Sequence, residues 1–387
     1  MDEPRLEIRL IHSLDEVNAD EWNAVANPPG EPYDPFLSWQ FLQAMEESGA
    51  ASPEIGWAPH HVIVQKAGQG LCGAMPLYLK SHSQGEFVFD HSWADAYERA
   101  GGHYYPKLLS AVPFTPVTGR RRLVRPGPDA TQISDALLGA AVKIAADNDI
   151  SSLHINFLTG EDALRLETAG LLVRTDQQFH WHNDGYESFD DFLAVLSSSK
   201  RKNLRKERHK AQEGLTFRHI TGNEITEDHW DVFYEFYMDT GARKWGTPYL
   251  NRETFSLLGE RMADDILLIF AEEDGHPIAG ALNMIGGDRL LGRYWGTVSP
   301  RPMLHFETCY YQAIDFAIAR GLKTVEAGAQ GGHKLARGYV PETTYSAHWI
   351  AHEGLASAVE EYLGRERQMV EREADFLRER TPFKKDG

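Results

Sequence analysis

The chain is 387 residues long, with 57 acidic against 39 basic side chains, a formal charge of -18, 42% hydrophobic and 25% charged residues. This composition excludes a disordered or fibrous chain, and its acidity argues against a general nucleic-acid coat or a membrane-surface binder, both of which recruit anions through a basic face. At roughly 100 to 200 residues per domain, the length predicts two domains. Cys72 and Cys309 are the only cysteines, which leaves no disulfide framework and no Cys-based zinc motif. The sequence Met1-Asp-Glu-Pro-Arg-Leu-Glu7 lacks the basic and apolar regions of a signal peptide, and no stretch approaches the ~18 apolar residues of a membrane span. A cytoplasmic location is expected.

Residues 61 to 80 place two apolar runs around Lys66-Ala-Gly-Gln-Gly70, which predicts a β-hairpin. An insertion over about 81 to 126 follows, rich in aromatic, acidic and histidine residues and without helical or strand periodicity. Ile133 to Asp147 has helical spacing, Leu153 to Phe157 reads as a strand, and this half ends near His180-Trp181. A linker is expected at 182 to 186. Ser188 and Asp191 form a capping box that opens a helix, and Lys200 to Glu213 continues as a second, basic helix.

The first pattern then recurs. Residues 266 to 285 predict another hairpin in which Gly280-Ala281 corresponds to Gly73-Ala74, followed by a helix over Phe306 to Arg320, a strand over Lys323 to Ala327, and an end at His348-Trp349. Gly73 lies 82 residues before Ile155 and Gly280 lies 45 before Val325, so the first copy carries about 37 extra residues, the insertion. A period near 200 residues predicts a duplicated domain, over residues 1–184 and 185–387. Leu355, Val359, Tyr362, Met369 and Phe376 predict a long amphipathic helix over 355 to 380.

Three constellations carry candidate chemistry. In Lys200 to Lys210, seven of eleven residues are basic, against the acidic background. Helical spacing puts Arg201, Arg205 and Arg208 on one face and Lys202, Lys206 and Lys210 beside it, a repulsive array that a phosphorylated ligand would relieve. In Val325 to Pro341, a strand runs into three glycines carrying Glu326, Gln330, His333, Lys334 and Arg337, the kind of strand end where sheets present polar groups to ligands. In the insertion, Asp90, Trp93, Tyr97, His103 and Tyr104 crowd together, as in a functional lid. No metal-ligand spacing, nucleophile elbow, phosphate loop or dinucleotide fingerprint occurs, so no metal is expected.

Over Asp90 to Tyr97, Tyr104 to Gly119 and Glu326 to Pro341, the sequence resembles the FemAB-like family of bacterial proteins, within the GNAT superfamily of N-acyltransferases. The resemblance covers roughly residues 8 to 380. It implies an α/β (α+β) chain of two tandem GNAT-like domains, with transfer of an acyl or aminoacyl group to an amine on a phosphorylated or cell-wall-precursor-like substrate. Acetyl-CoA-dependent members usually hold the pyrophosphate on a glycine-containing turn before the helix that follows the fourth strand. The corresponding stretch here, Ser299-Pro-Arg-Pro-Met-Leu-His-Phe-Glu307, has no glycine and loses two N–H donors to Pro300 and Pro302. That departure fits aminoacyl-tRNA as donor better than acyl-CoA and leaves both open; no tightly bound cofactor and no DNA partner are expected.

Such a reaction needs a base, oxyanion donors and a clamp for a bulky substrate. Glu326 or His333 is the candidate base, with Asp90 a third. Gln330 and glycine-loop N–H groups are candidate oxyanion donors, and Lys334, Arg337, Arg201, Lys202, Arg205 and Arg208 the candidate clamp. The competing class is a non-catalytic module that binds a cell-wall or nucleotide-linked ligand, which loss of the phosphate turn would also suit.

Overall fold

Apolar runs bounded by turn residues form the expected hairpins, and side-chain caps start several of the helices. The computed structural model describes residues 6–243, 248–328 and 331–384. The chain forms two compact units, one running up to Asp176 and including Thr343–Glu371, the other comprising Gln177–Glu342 and the segment from Arg372.

In the first unit, β1 (Leu6–Ile11) precedes α1 (Ala19–Ala26), capped by Asn18, and α2 (Trp39–Glu47), capped by Ser38. Then come β2 (Trp57–Pro59) and the predicted hairpin of β3 (His61–Lys66) and β4 (Gly70–Met75). Pro76, which has no N–H, separates β4 from β5 (Tyr78–Lys80). The insertion is more regular than its sequence suggests. It holds α3 (His91–Arg99), β6 (Lys107–Ser110) and β7 (Leu123–Val124). The short α3 escapes a periodicity search because it buries only Trp93, Ala94 and part of Tyr97, against Tyr104 and Leu355.

Next are α4 (Ala130–Asp147), β8 (Ser152–Leu158), α5 (Gly160–Thr168) and β9 (Leu172–His182). Helix α4 buries Ile133, Leu137, Leu138, Ala141 and Ala145 against Val62, Val64, Leu153 and Ile155, and it comes so close to β4 that a Cβ on Gly73 would lie 2.5 Å from Ile133.

The second unit contains α6 (Phe189–Val195), with the Ser188–Asp191 capping bond in place, and the basic α7 (Ser198–Gln212). They lead to β10 (Thr216–Thr221), α8 (Glu227–Arg243) and α9 (Arg252–Met262). The second hairpin, β11 (Ile266–Glu273) and β12 (His276–Gly286), continues into β13 (Arg289–Thr297). Helix α10 (Leu304–Phe306), one π-turn and α11 (Gln312–Ala319) then lead to β14 (Thr324–Glu326), after which most of β15 (Val340–Ile350) and of α12 (Glu353–Arg378) belongs to the first unit.

Both units begin with the same antiparallel order, β1-β3-β4-β7 in the first and β10-β11-β12-β13 in the second. The second unit adds β14, parallel to β13, and then β9. In the first unit β8 is parallel to β6 of the insertion and antiparallel to β15. The last strands are therefore exchanged. His180 and Trp181 pair with Glu326 and Val325, whereas His348 and Trp349 pair with His154 and Leu153. The repeat pattern placed each strand, and residues 343–371, with its own half of the sequence; the core decides otherwise, because Trp181 is buried with Val325 and Leu290, and Ala347 with Ile155.

Helix α8 packs on β13 at Gly296, where an added Cβ would lie 2.1 Å from the Phe236 carbonyl oxygen. Because backbone has to move, Gly296→Ala should lower stability by ~3 kcal/mol, the upper end for overpacking. Urea denaturation measures this, and a loss below about 0.5 kcal/mol would contradict that packing.

Candidate functional site

In the second unit β13 and β14 pair only from Arg289–Thr324 to Leu291–Glu326. A bulge between Leu282 and Asn283 bends the neighbouring pairing, and Gly292 passes so close to β14 that a Cβ there would lie 3.0 Å from the Glu326 carbonyl oxygen. Glu326 thus occupies the last paired position before the two strands part. One of its carboxylate oxygens accepts a bond from Arg289 at 3.1 Å. The other, Oε2, lies 3.8 Å from His180 Nε2, directly across on β9, and neither atom has a hydrogen-bond partner among the described residues. Their side chains keep 6% and 13% exposure, which puts the pair just beneath the surface. Burial lowers the His180 pKa, against the upward pull of Glu326 and Glu342. The site therefore sets a neutral imidazole beside a carboxylate. His182, two residues along, is bonded to Glu342 at 2.9 Å, which raises its pKa.

The glycine-rich stretch after β14 contains the other candidates. Lys334 is buried and donates to the Gly328 carbonyl at 2.7 Å, and burial lowers its pKa to about 8. His333 is exposed, with Nε2 2.8 Å from the Tyr310 hydroxyl. Partial burial, Arg337 and Lys334 lower its pKa. Arg337 stacks 3.4 Å over Phe306, donates to the His333 carbonyl and forms an ion pair with Glu207 on α7 at 2.9 Å. Gln330 lies outside the described residues.

The basic run of α7 divides in two. Arg208 is tied to Glu307 and Asp315, and Glu307 also accepts from Gln212 and Gln312. Arg208 is thus a tie between α7 and the segment around α11. Arg201, by contrast, makes one 3.5 Å contact, to the Ala194 carbonyl, and Arg205 forms an exposed pair with Asp190. Lys202 is exposed and has no partner among the described residues. In the turn after β13, Val298 and Ser299 N–H groups are already taken by Ile278 and Thr297, and Arg301 is bound to Glu273.

The first unit contains a second, almost completely buried network. Lys107 Nζ bonds to Ser83 at 2.7 Å, to Glu86 at 2.8 Å and to Asp90. Tyr104 donates to Asp90 at 2.7 Å and approaches His154, whose other nitrogen lies 2.6 Å from His348 Nδ1. His348 Nε2 meets the Ser346 hydroxyl at 2.9 Å. Burial alone would raise the Asp90 pKa, but Lys107 outweighs it and holds the carboxyl well below the usual range. Burial takes His154 down to about 3, so both imidazoles are neutral. Trp93 covers the His348 ring, Tyr97 is half-buried near His352, and His103 is exposed, away from the network.

Asp90, Trp93 and Tyr104 thus come together in the first unit, and Glu326, His333, Lys334 and Arg337 belong to the second. The residues that sequence alone did not single out are His180 opposite Glu326 and the His154–His348 pair. Alternation was the available signal: His180/His182 and His154/Asn156 are polar at every second position of the short stretches Phe179–His182 and Leu153–Phe157.

A family described as peptidoglycan biosynthesis/recognition, FemAB-like, matches residues 13–385. The chain belongs to this family. Among solved structures, the FemAB-like chain is similar to FemX, with 13% identity, coverage of 91% of this chain and 100% of that one, and a TM-score of 0.56. It is also similar to the C-terminal domain of a provisionally assigned lysylphosphatidylglycerol synthetase from Agrobacterium fabrum, at 10% identity, 90% and 96% coverage and a TM-score of 0.52. L-PGS from Bacillus licheniformis gives 11%, 87% and 99%, and 0.51. At these identities the likeness speaks for the fold alone, two α/β units with a long C-terminal helix. Comparison with curated proteins finds no match. No helix among the described residues is long and apolar enough to cross a membrane.

Two predictions follow from these sites. Lys107→Met leaves Asp90 buried without its cation, and Glu86 with only Lys80 at 3.8 Å, and should cost ~3–5 kcal/mol at pH 7, with partial recovery in the Asp90→Asn/Lys107→Met double variant. Asp90 has a folded pKa below its unfolded value of 3.8, so its contribution is present above about pH 4 and lost on further acidification. Thermal melts should therefore show the wild-type advantage shrinking towards pH 3. The occupied turn after β13 predicts weak acetyl-CoA binding, with a Kd above about 0.1 mM, weaker than ~5.5 kcal/mol. Micromolar affinity by calorimetry would contradict this.

Proposed function

We propose that the FemAB-like chain is a transferase that moves an aminoacyl or acyl group onto an amine of a phosphorylated, cell-wall-precursor-like substrate, in the cytoplasm. The observation that carries the reading is the orphan pair of Glu326 Oε2 and His180 Nε2 where β13 and β14 part. A carboxylate oxygen and an imidazole nitrogen 3.8 Å apart, both without a hydrogen-bond partner among the described residues, can reach one substrate nitrogen, the imidazole accepting in the tautomer that carries its proton on Nδ1, and an amine must give up a proton to become a nucleophile. In the proposed step a proton passes from the amine to Glu326, with His180 as the second acceptor. The nitrogen then bonds to the acyl carbon, and the bond from that carbon to the donor's oxygen or sulfur breaks, the leaving atom taking up a proton.

The remaining residues divide between binding and support. Arg201, Lys202 and Arg205 are the cations free enough to meet a phosphate-bearing substrate. Lys334 and Arg337, with the glycine-stretch N–H groups, border the acyl end, and Gln330 is kept there as an oxyanion donor. Arg208 acts through its tie to Glu307 and Asp315, and Asp90 through positioning of the insertion. His333 is the alternative base, weakened in that role by its bond to Tyr310. Aminoacyl-tRNA is the preferred donor, because the turn after β13 has few donors left for a pyrophosphate.

The test is transfer of a labelled amino acid from aminoacyl-tRNA to a nucleotide-linked cell-wall peptide, followed in single turnover. Glu326→Gln should lower the rate about 100-fold or more with binding spared. Reversing charge at Arg201 and Arg205 should instead weaken substrate binding about tenfold or more and leave the fold intact. The wild-type rate should rise with pH and level off below neutrality, as His180, with its lowered pKa, loses its proton. Tight binding with no transfer would favour the non-catalytic module, and an unchanged rate in Glu326→Gln would move the base to His333.

A further inference from the structure

Strand β1 ends the β1-β3-β4-β7 sheet, so it is bonded on one side only. Every second residue of Leu6–Ile11 therefore turns its N–H and C=O away from β3, and among the described residues no hydrogen bond closes that outer edge. Edge strands are usually protected by an outward lysine, a proline, a bulge or a covering segment. β1 contains no lysine or proline, its two exposed charges, Glu7 and Arg9, are of opposite sign, and its six pairs with β3, from Leu6–Lys66 to Ile11–His61, run without a bulge. Two of its apolar side chains are also exposed, Ile8 at 47% and Leu10 at 37%. They share a face with half-buried Leu6, because successive side chains alternate, and with Val64 and Val62 opposite them in β3.

The order Leu6-Glu-Ile-Arg-Leu10 is complementary to itself under antiparallel pairing. We propose that β1 is a homodimer interface, in which it pairs antiparallel with β1 of a second copy about a two-fold axis through Ile8. In that register Ile8 faces its own counterpart, Leu6 faces Leu10 twice, and Glu7 faces Arg9 twice on the opposite side of the sheet. The two four-stranded sheets become one of eight strands. Centring the axis on Glu7 or Arg9 instead would oppose like charges, which antiparallel pairs disfavour. Arg9 can serve the new pairing because its contact with Gln65, at 3.4 Å, takes one of five donors. A two-fold contact uses the same patch on both copies, so the sign pattern itself selects a second copy of this chain.

Light scattering during gel filtration at about 100 µM tests this. The wild type should have twice the 43.6 kDa mass of the chain. Arg9→Glu and Glu7→Arg should each raise the dimer Kd about tenfold or more, by placing like charges opposite one another at two positions. The Glu7→Arg/Arg9→Glu double variant should restore the dimer. Mixing the two single variants should give a heterodimer, since each supplies the charge the other needs. Circular dichroism checks that the variants fold. If they do not, wild-type amide exchange at Glu7 to Leu10 should slow as concentration rises from 1 to ~100 µM. A wild-type monomer at 100 µM, a dimer insensitive to all these charge changes, or concentration-independent exchange would overturn the proposal.

Discussion

The antiparallel pairing of β9 with β14 and of β15 with β8 is the constraint on which both polar sites depend. A central strand has to bond on both edges, because a buried N–H or C=O without a partner costs about as much as a lost hydrogen bond. The strands that meet this need come from the opposite half of the sequence, and each brings a histidine. β9 sets His180 across from Glu326, and β15 sets His348 across from His154. A slip of one residue in either pairing would turn these side chains to the other face of the sheet.

Both networks keep buried carboxylate oxygens without a hydrogen-bond partner among the described residues, Asp90 Oδ1 and Glu86 Oε1 in the first and Glu326 Oε2 in the second, and they differ in the charges that balance them. Around Lys107, hydrogen bonds donated by its ammonium to Ser83, Glu86 and Asp90, and by Tyr104 to Asp90, offset the desolvation of several charges, and two neutral imidazoles continue the chain to Ser346. Such an arrangement fixes the insertion over the sheet. Glu326 and His180 are held by Arg289 and by strand pairing, with Glu326 Oε2 and His180 Nε2 facing each other unbonded and no buried ammonium beside them among the described residues. Strand geometry maintains that proximity at the place where the sheet opens.

Charge on α7 shows a similar division of labour. Arg208 and, through Glu207, Arg337 bind the helix to its neighbours with bidentate or stacked guanidinium contacts. The cations at the start of the same helix, half-buried Lys200 and Arg201 and exposed Lys202, have no carboxylate partner among the described residues. Proximity of arginines in a sequence carries no information on which of them have carboxylates waiting in the fold.

The two hairpins, the helices α4, α7 and α12, the Ser188 cap and the placing of Glu326 at a strand end were legible in the sequence, because each is a local matter of hydrophobic period, turn residues and caps. It also contained the family motifs over residues 90–97 and 326–341. Which half receives β9 and β15 could not be read there, because apolar runs such as those around Trp181 and Ala347 suit either core and the choice rests on packing between distant residues. The same holds for the site. His180 and Glu326 are 146 positions apart and meet through strand register alone, and Arg208 looked like its neighbours until Glu307 and Asp315, about a hundred residues away, came within bonding distance.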